Sequence, residues 1–317
     1  MRIGIIGSGR IIPFHLESLK TAGFEITSIA ASVNSLSARL IADEYHIPNY
    51  HNSTESILSA QDEYDCILIA PAKEFLFDLL LTVCEKNLPA LIEKPVFLNQ
   101  SQIKLLKTNK VDVSKVMVAY NRRHYKSVQC LKEFILSNKI LHINMVVPEL
   151  SASKEFFDKE IQNELIGNTV HMLDLFSYLT RSNFSDMAFH INNSYEVPYI
   201  KISTGNATCH VSFGVPGNYS VEVIAQGARA ELKPLEDLRV YEGMTITYPD
   251  ELVKVKRYFP KIVNRTTDVD AFKPGFLNQS LAFKYFIENP ASVNPCSIEE
   301  SALLSDFIMQ ISSQLQP

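Results

Sequence analysis

Two stretches of this chain carry residue types that could do chemistry together. In the first, Gly7-Ser8-Gly9 ends an apolar run of Ile3, Ile5 and Ile6, and a helical pattern with Phe14, Leu16 and Leu19 follows at once. Glycine here permits a tight turn at Gly7 and a close approach of backbone to a pyrophosphate at Gly9. The phosphates then rest on the N–H groups of Arg10, Ile11 and Ile12 at the helix start, where the dipole favours negative charge. Pro13 suits a first helical turn, where a missing N–H costs little. The third position of the dinucleotide pattern takes Gly or Ala, and here it is Ile12.

The second stretch is Glu93-Lys94-Pro95, directly after the short apolar run Leu91-Ile92. In a doubly wound sheet a nicotinamide ring lies at the carboxyl end of such a strand. A lysine there can stabilise alkoxide character on a carbinol oxygen, and burial would lower its pKa so that it also exchanges a proton. Pro95 fixes the backbone behind it. Taken alone, a loop lysine is ordinarily solvated surface.

Further polar residues fall on elements that could face the same ligand. Glu164, Asn168, His171, Asp174 and Tyr178 recur at helical spacing on a predicted helix from about 161 to 179. Its other faces carry Ile161, Leu165, Ile166, Val170, Met172, Leu173, Phe176 and Leu179. Such a stripe is either a solvated face or, on a helix buried over most of its circumference, the lining of a cleft. His171 and Asp174 have metal-ligand spacing, but no third ligand is evident and no metal is expected. Asn121, Arg122 and Arg123 follow the last predicted parallel strand. The two arginines can meet a substrate phosphate or carboxylate, or form an interdomain salt bridge. His15, near the phosphate turn, reads as structural.

The elements that must position these groups alternate. Strands are expected at 24–31, 65–70, 91–92 and 116–120, with helices between them, one of them capped by Asn34 or Ser35 with Leu36, Leu40 and Ile41 inward. Ala70 and Pro71 close the second of these strands at the ligand-binding edge. That alternation specifies a doubly wound parallel sheet. After Asn121 come a helix, a strand over 141–147, a polar segment over 151–159 and the His171 helix, then short strands over 187–248 with turn residues between them, which reads as an antiparallel sheet. A helical region closes the chain after Pro274-Gly275. The reading is therefore α/β with two domains, 1–121 and 122–317, since 317 residues exceed one ordinary core.

A net charge of −5 gives no reason to expect nucleic acid or an anionic membrane as partner. No apolar run reaches the roughly 18 residues a bilayer span needs, and with a strand read at the very start no cleavable leader is expected. The five cysteines are an odd, scattered set without a C-x-x-C pair, as expected of reduced thiols in a cytoplasmic protein.

Taken together, Gly7-Ser8-Gly9-Arg10-Ile11 with His15, Glu93-Lys94-Pro95, Tyr120-Asn121-Arg122-Arg123, Val170-His171-Met172-Leu173-Asp174, and Lys273-Pro274-Gly275-Phe276 with Gln279 resemble the Gfo/Idh/MocA oxidoreductases. The resemblance implies an N-terminal Rossmann domain and a C-terminal α/β domain on an open, mostly antiparallel sheet. It also implies NAD(P)-dependent oxidation or reduction of a sugar, polyol or nucleotide-linked sugar, with Lys94 the active-site lysine and His171 the acid/base; Asn168 and Arg122, from the readings above, are expected near the substrate. Many members carry an aspartate four residues before this histidine, where this chain has Gly167. NAD enzymes usually end the second strand in Asp or Glu; Ser32, Val33 and Asn34 stand here, and Ser32, Asn34 and Arg39 favour NADP, although Arg39 can equally be a solvated helix residue. The alternative to an enzyme is a cofactor-binding sensor without turnover, and a methyltransferase-type Rossmann fold has no use for Glu93-Lys94-Pro95. An exposed face of the second sheet would make the protein a homodimer or homotetramer.

Overall fold

The computed structural model describes residues 1–149, 165–192, 198–268 and 271–315. The chain divides into two units, Met1–His124 with Asp270–Gln310, and Tyr125–Val269 with Ile311–Pro317.

In the first unit the expected alternation is present: β1 (Arg2–Ile6), α1 (Ile12–Thr21), β2 (Glu25–Ala30), α2 (Leu36–Tyr45), β3 (Asn49–Tyr50), α3 (Thr54–Ser59), β4 (Cys66–Ile69), α4 (Leu76–Glu85), β5 (Ala90–Ile92), α5 (Gln100–Thr108) and β6 (Val116–Val118). The six strands lie in the order β3-β2-β1-β4-β5-β6 and every pairing is parallel. This is the order of a doubly wound dinucleotide-binding sheet, which places the ends of β1 and β4 at its switch point. β4, β5 and β6 are buried at every residue, as befits strands covered on both faces. Ser35, Ser53 and Asn99 each accept a backbone N–H at the start of α2, α3 and α5, so those helices begin where short oxygen-bearing side chains satisfy orphan donors.

One expectation about packing is reversed. Leu36 and Leu40 are 70% and 58% exposed, while Ala38 and Ala42 are buried. Both pairs recur at i, i+4, and it is the small pair that faces inward, letting α2 lie close over its neighbours.

The segment after Pro274, expected with the second domain, belongs to the first unit. Its helix Phe276–Glu288 packs on α1, with Ser18 Oγ 3.1 Å from Ser280 Oγ and Phe24 stacked on Phe283 at 6.1 Å. Val118 N donates to Cys296 O at 2.8 Å, so the outer edge of β6 is bonded rather than left open.

The second unit carries α6 (Lys126–Ser137), the His171 helix (Val170–Thr180) and an eight-stranded sheet. Its strands are β7 (Ile140–Glu149), β8 (Ala188–Asn192), β9 (Tyr199–Thr204), β10 (Ala207–Phe213), β11 (Ser220–Ala225), β12 (Ala228–Leu232), β13 (Asp237–Thr247) and β14 (Arg257–Thr267). The order is β14-β13-β12-β11-β7-β10-β9-β8, antiparallel except between β7 and β10. The expected polar segment over 151–159 and the first residues of the expected 161–179 helix, Glu164 among them, lie outside the described residues. β14 was not anticipated: it is exposed along almost its whole length and shows no alternation of burial to betray it.

Candidate functional site

The turn after β1 is held by backbone. Gly7 N donates to Ala30 O at 2.8 Å and Ala70 N to Ile6 O at 2.7 Å, which ties the ends of β1, β2 and β4 together. Gly7 has φ +135°, and a Cβ there would stand 2.3 Å from Ala70 O. The protein's own packing therefore demands glycine at this position. Gly9 differs: a Cβ would meet nothing within 4 Å, so the protein itself leaves that space open. α1 starts without a side-chain cap, with Ile12 N reaching back to Gly9 O at 3.0 Å.

A cavity of about 1180 Å³ runs along this turn. Of the residues expected at a cofactor, Gly7, Gly9, Arg10, Ile11, Ser32, Ala70 and Pro71 line it. Thr54, Glu55, Leu58, Phe75 and Leu79 line it as well, and no local pattern marks them as ligand-facing. They are contributed by α3 and by the start of α4, whose approach to the turn is a product of folding. Ile12 is fully buried in the core, where the dinucleotide pattern has its third small residue. Asn34, in the left-handed region at φ +53°, and Arg39, exposed on α2, are not on the cavity wall. An uncapped helix start and an open approach at Gly9, joined to a cavity of this size, fit a dinucleotide.

The second cluster lies at the ends of β5 and β6, all of it in the first unit. Glu93 follows β5 and its N–H donates to Ile69 O at 2.8 Å, so the residue is set by the sheet. Its Oε1 lies 2.8 Å from His15 Nε2, and its Oε2 accepts from Lys94 N at 3.2 Å. His15 is fully buried with its Nδ1 unbonded, so the imidazole donates through Nε2. Burial works to raise the Glu93 carboxyl, but the hydrogen bond and charge of His15, with Lys94 beside it, hold it below the usual carboxylate range. Burial pushes the Lys94 ammonium below its ordinary value; Glu93 opposes this, and Arg122 and Lys273 add to the lowering. Lys94 is therefore closer to exchanging a proton near neutrality than a solvated lysine.

Asn121 and Arg122 follow β6. Asn121 Nδ2 donates to Pro274 O at 3.1 Å, which pins this segment to the one carrying Lys273. Arg123 is only 5% exposed and bonds Pro295 O at 2.9 Å and Glu300 at 3.0 Å. It is a structural cation within the first unit. Sequence reasoning set His15 aside as structural; its bond to Glu93, across 78 positions of chain, is the contact it missed.

In the second unit a π-helical turn, Leu165–Thr169, leads into the His171 helix. Asn168 is exposed, His171 partly exposed and Asp174 buried at 2%. The polar stripe thus runs from solvent at Asn168 into the core at Asp174. Tyr178, its last member, is half-buried against α6, where Gln129 Nε2 donates to its hydroxyl at 3.1 Å. A Cβ at Gly167 would meet nothing within 4 Å, so the missing aspartate has not been displaced by packing at that position.

Comparisons with known proteins agree with this architecture. Over 142 residues, 44% of this chain, it is 25% identical to a myo-inositol 2-dehydrogenase of Thermotoga maritima, and the match spans 42% of that relative's length. The whole fold is similar to that of a dehydrogenase from Clostridium difficile, with TM-score 0.74, 20% identity and 99% of each chain covered. It is similar also to a UDP-N-acetylglucosamine 3-dehydrogenase from Acidithiobacillus ferrooxidans, with TM-score 0.73, 17% identity and coverage of 100% of this chain and 99% of that one. Residues 1–121 match the family model described as oxidoreductase family, NAD-binding Rossmann fold.

Proposed function

We propose that this protein is a nicotinamide-dependent oxidoreductase that moves a hydride between the cofactor and a carbohydrate-type hydroxyl or ketone. The observation that carries the proposal is Lys94, set at the carboxyl end of a central parallel strand, depressed by burial, and steadied through Glu93 by His15. Relatives named as dehydrogenases of inositol and of a nucleotide sugar support a carbohydrate-type substrate. The bound nicotinamide supplies or accepts the hydride. Gly7, Gly9 and the start of α1 hold its pyrophosphate, and Ala70 and Pro71 border it. Lys94 stabilises negative charge developing on the carbinol oxygen, because the ammonium acts in a site shielded from water. His171 gives or takes the hydroxyl proton, and Asp174, one turn along the same helix, fixes the imidazole.

For the cofactor's ribose we assign NAD(H). Ser32 lines the cavity without a carboxylate from β2, which favoured NADP on sequence, but Arg39 is off the wall and Glu55 is on it. A carboxylate there accepts from a 2′-hydroxyl and repels a 2′-phosphate. Self-association is assigned to the β13–β14 end of the second sheet, as a dimer or a dimer of dimers. There Met244, Ile246 and Tyr258 are 54%, 43% and 57% exposed on one face.

The test is hydride transfer, followed at the nicotinamide absorbance band, against a panel of polyols, sugars and nucleotide sugars. Turnover on any of them that collapses in Lys94→Met supports the assignment. Tight cofactor binding with no turnover across the panel would favour the second reading, a cofactor-dependent sensor. Gly167 in place of the family's aspartate is the observation behind that reading.

A further inference from the structure

We infer that His51, together with Glu63, is a positioning residue of the nucleotide cavity: it fixes α3 and so sets Glu55 at the cofactor's ribose. The inference rests on the reading of Glu55 as the group that meets the 2′-hydroxyl. It adds to that reading the side chains on which the NADH preference depends.

α3 has six residues, too few to hold a helix in place by its own hydrogen bonds. One of its faces, with Thr54, Glu55, Leu58 and Ser59, lines the cavity. Glu55 moves with the helix, because its own N–H and the Ser53 hydroxyl bond its carboxyl and hold it below the usual carboxylate range. Where α3 lies is therefore where that carboxylate lies. Ser56 is off the cavity wall, and there His51 grips the helix, with Nδ1 3.2 Å from Ser56 Oγ.

The other end of the grip is on the sheet. His51 directly follows β3, and its N–H donates to Ile29 O of β2 at 2.9 Å. Its Nε2 lies 2.8 Å from Glu63 Oε2. Glu63 is fastened in turn by two residues of β2: Ser28 Oγ donates to Oε2 at 2.5 Å, and Thr27 Oγ1 to Glu63 O at 2.8 Å. Burial works to raise the Glu63 carboxyl, but Ser28 and His51 keep it below its ordinary value. A carboxylate only accepts, so Nε2 carries a proton, and the Ser56 hydroxyl turns to suit Nδ1. Both ring nitrogens of a side chain that is 12% exposed are thus in use, one toward the sheet and one toward α3. An apolar contact would also hold a short helix down, but a bridge bonded at both ends sets its rotation, because hydrogen bonds are directional. Thr54 Oγ1 donates to Ala31 O at 3.2 Å and Tyr64 OH to Ile57 O at 2.7 Å. These bonds keep α3 attached without the bridge and leave its rotation to His51.

Paired calorimetric titrations of the full-length protein with NADH and with NADPH test this, alongside thermal melts. His51→Leu should weaken NADH binding by about tenfold, the lower end of what a charge-assisted hydrogen bond contributes, and leave NADPH binding within about twofold. Ser56→Ala, which removes the grip on α3 alone, should move the NADH-to-NADPH ratio the same way by about threefold, and it carries the test if His51→Leu does not fold. Placed in Glu55→Gln, His51→Leu should change the ratio by no more than about twofold further, because it acts through Glu55. A purely structural role would lower the melting temperature and weaken both nucleotides alike. Equal losses for the two nucleotides, a ratio unmoved in both variants, or the full tenfold effect recurring on top of Glu55→Gln would overturn the inference. A ratio unmoved by Glu55→Gln itself would remove Glu55 from the ribose, and no nucleotide binding by the wild type would sink the oxidoreductase reading; either result takes this inference down with it.

Discussion

Gly7 and Gly9 sit two residues apart, yet the structure gives them opposite reasons to be glycine. Gly7→Ala puts a methyl 2.3 Å from Ala70 O at a φ of +135°. The strained backbone costs about 1–3 kcal/mol, and forcing the overlap apart costs about as much again. At about 2–4 °C per kcal/mol for a chain of this size, the melting temperature should fall by ~5–20 °C. Gly9→Val adds a side chain into open space at an ordinary φ, so stability should stay within about 0.5 kcal/mol of the wild type. Its branched side chain fills the approach of the pyrophosphate instead. Losing two charge-assisted hydrogen bonds at about 1.5–3 kcal/mol each would weaken NADH binding by ~10²- to 10⁴-fold. Thermal melts and calorimetric NADH titration of both variants decide the matter. Wild-type NADH affinity in Gly9→Val would remove that glycine from the site, and an unchanged melt in Gly7→Ala would refute the steric account.

Lys94→Met and His171→Ala should each bind NADH nearly as wild type yet lose turnover, by about 10²- to 10⁴-fold for His171 as acid/base. Steady-state rates and titrations read both effects, and the double variant should fall short of the summed losses because the groups serve one reaction. Glu55→Gln should improve NADPH affinity relative to NADH by roughly tenfold on paired titrations; an unmoved ratio would clear Glu55 of any part in the choice. His124 is almost fully buried, which pushes its imidazole down to about 4. The unfolded chain then binds the extra proton as pH falls through about 6.5, so stability present at pH 7 should decline by up to about 3 kcal/mol toward pH 4. His124→Gln should flatten the fall in melting temperature over that window. Ile246→Glu with Tyr258→Glu should convert the assembly to monomers in light scattering, whereas an unaltered mass would place the interface elsewhere.

The parallel sheet was legible because its strands announce themselves: an apolar run such as Cys66–Ile69, buried at every residue, leaves little else to be. The caps at Ser35, Ser53 and Asn99 were legible for the same local reason. Where two patterns coexist on one helix, periodicity could not choose, and α2 turned its alanines inward instead of its leucines. β14 escaped notice because an exposed strand needs no alternation. At the site, Lys94 and the glycine turn could be read because each depends on its own strand. Glu55 and the bond between His15 and Glu93 could not, since they join segments far apart in sequence and leave no mark in either one.

The return of Asp270–Gln310 to the first unit keeps the Rossmann sheet from finishing its fold until long after its last strand has been made. On the ribosome, residues 1–124 emerge first, but the lid over α1, with Phe283 on Phe24, and the strap along β6, with Cys296 on Val118, are still unmade. The second unit must be synthesised while the first waits with an open strand edge and bare apolar surface, the state in which nascent chains stick to one another. A gene cut after residue 124 would therefore yield a product prone to precipitate. Holding a cofactor-binding module together by its own downstream sequence also means that nucleotide binding matures only after residues 270–310 have been made.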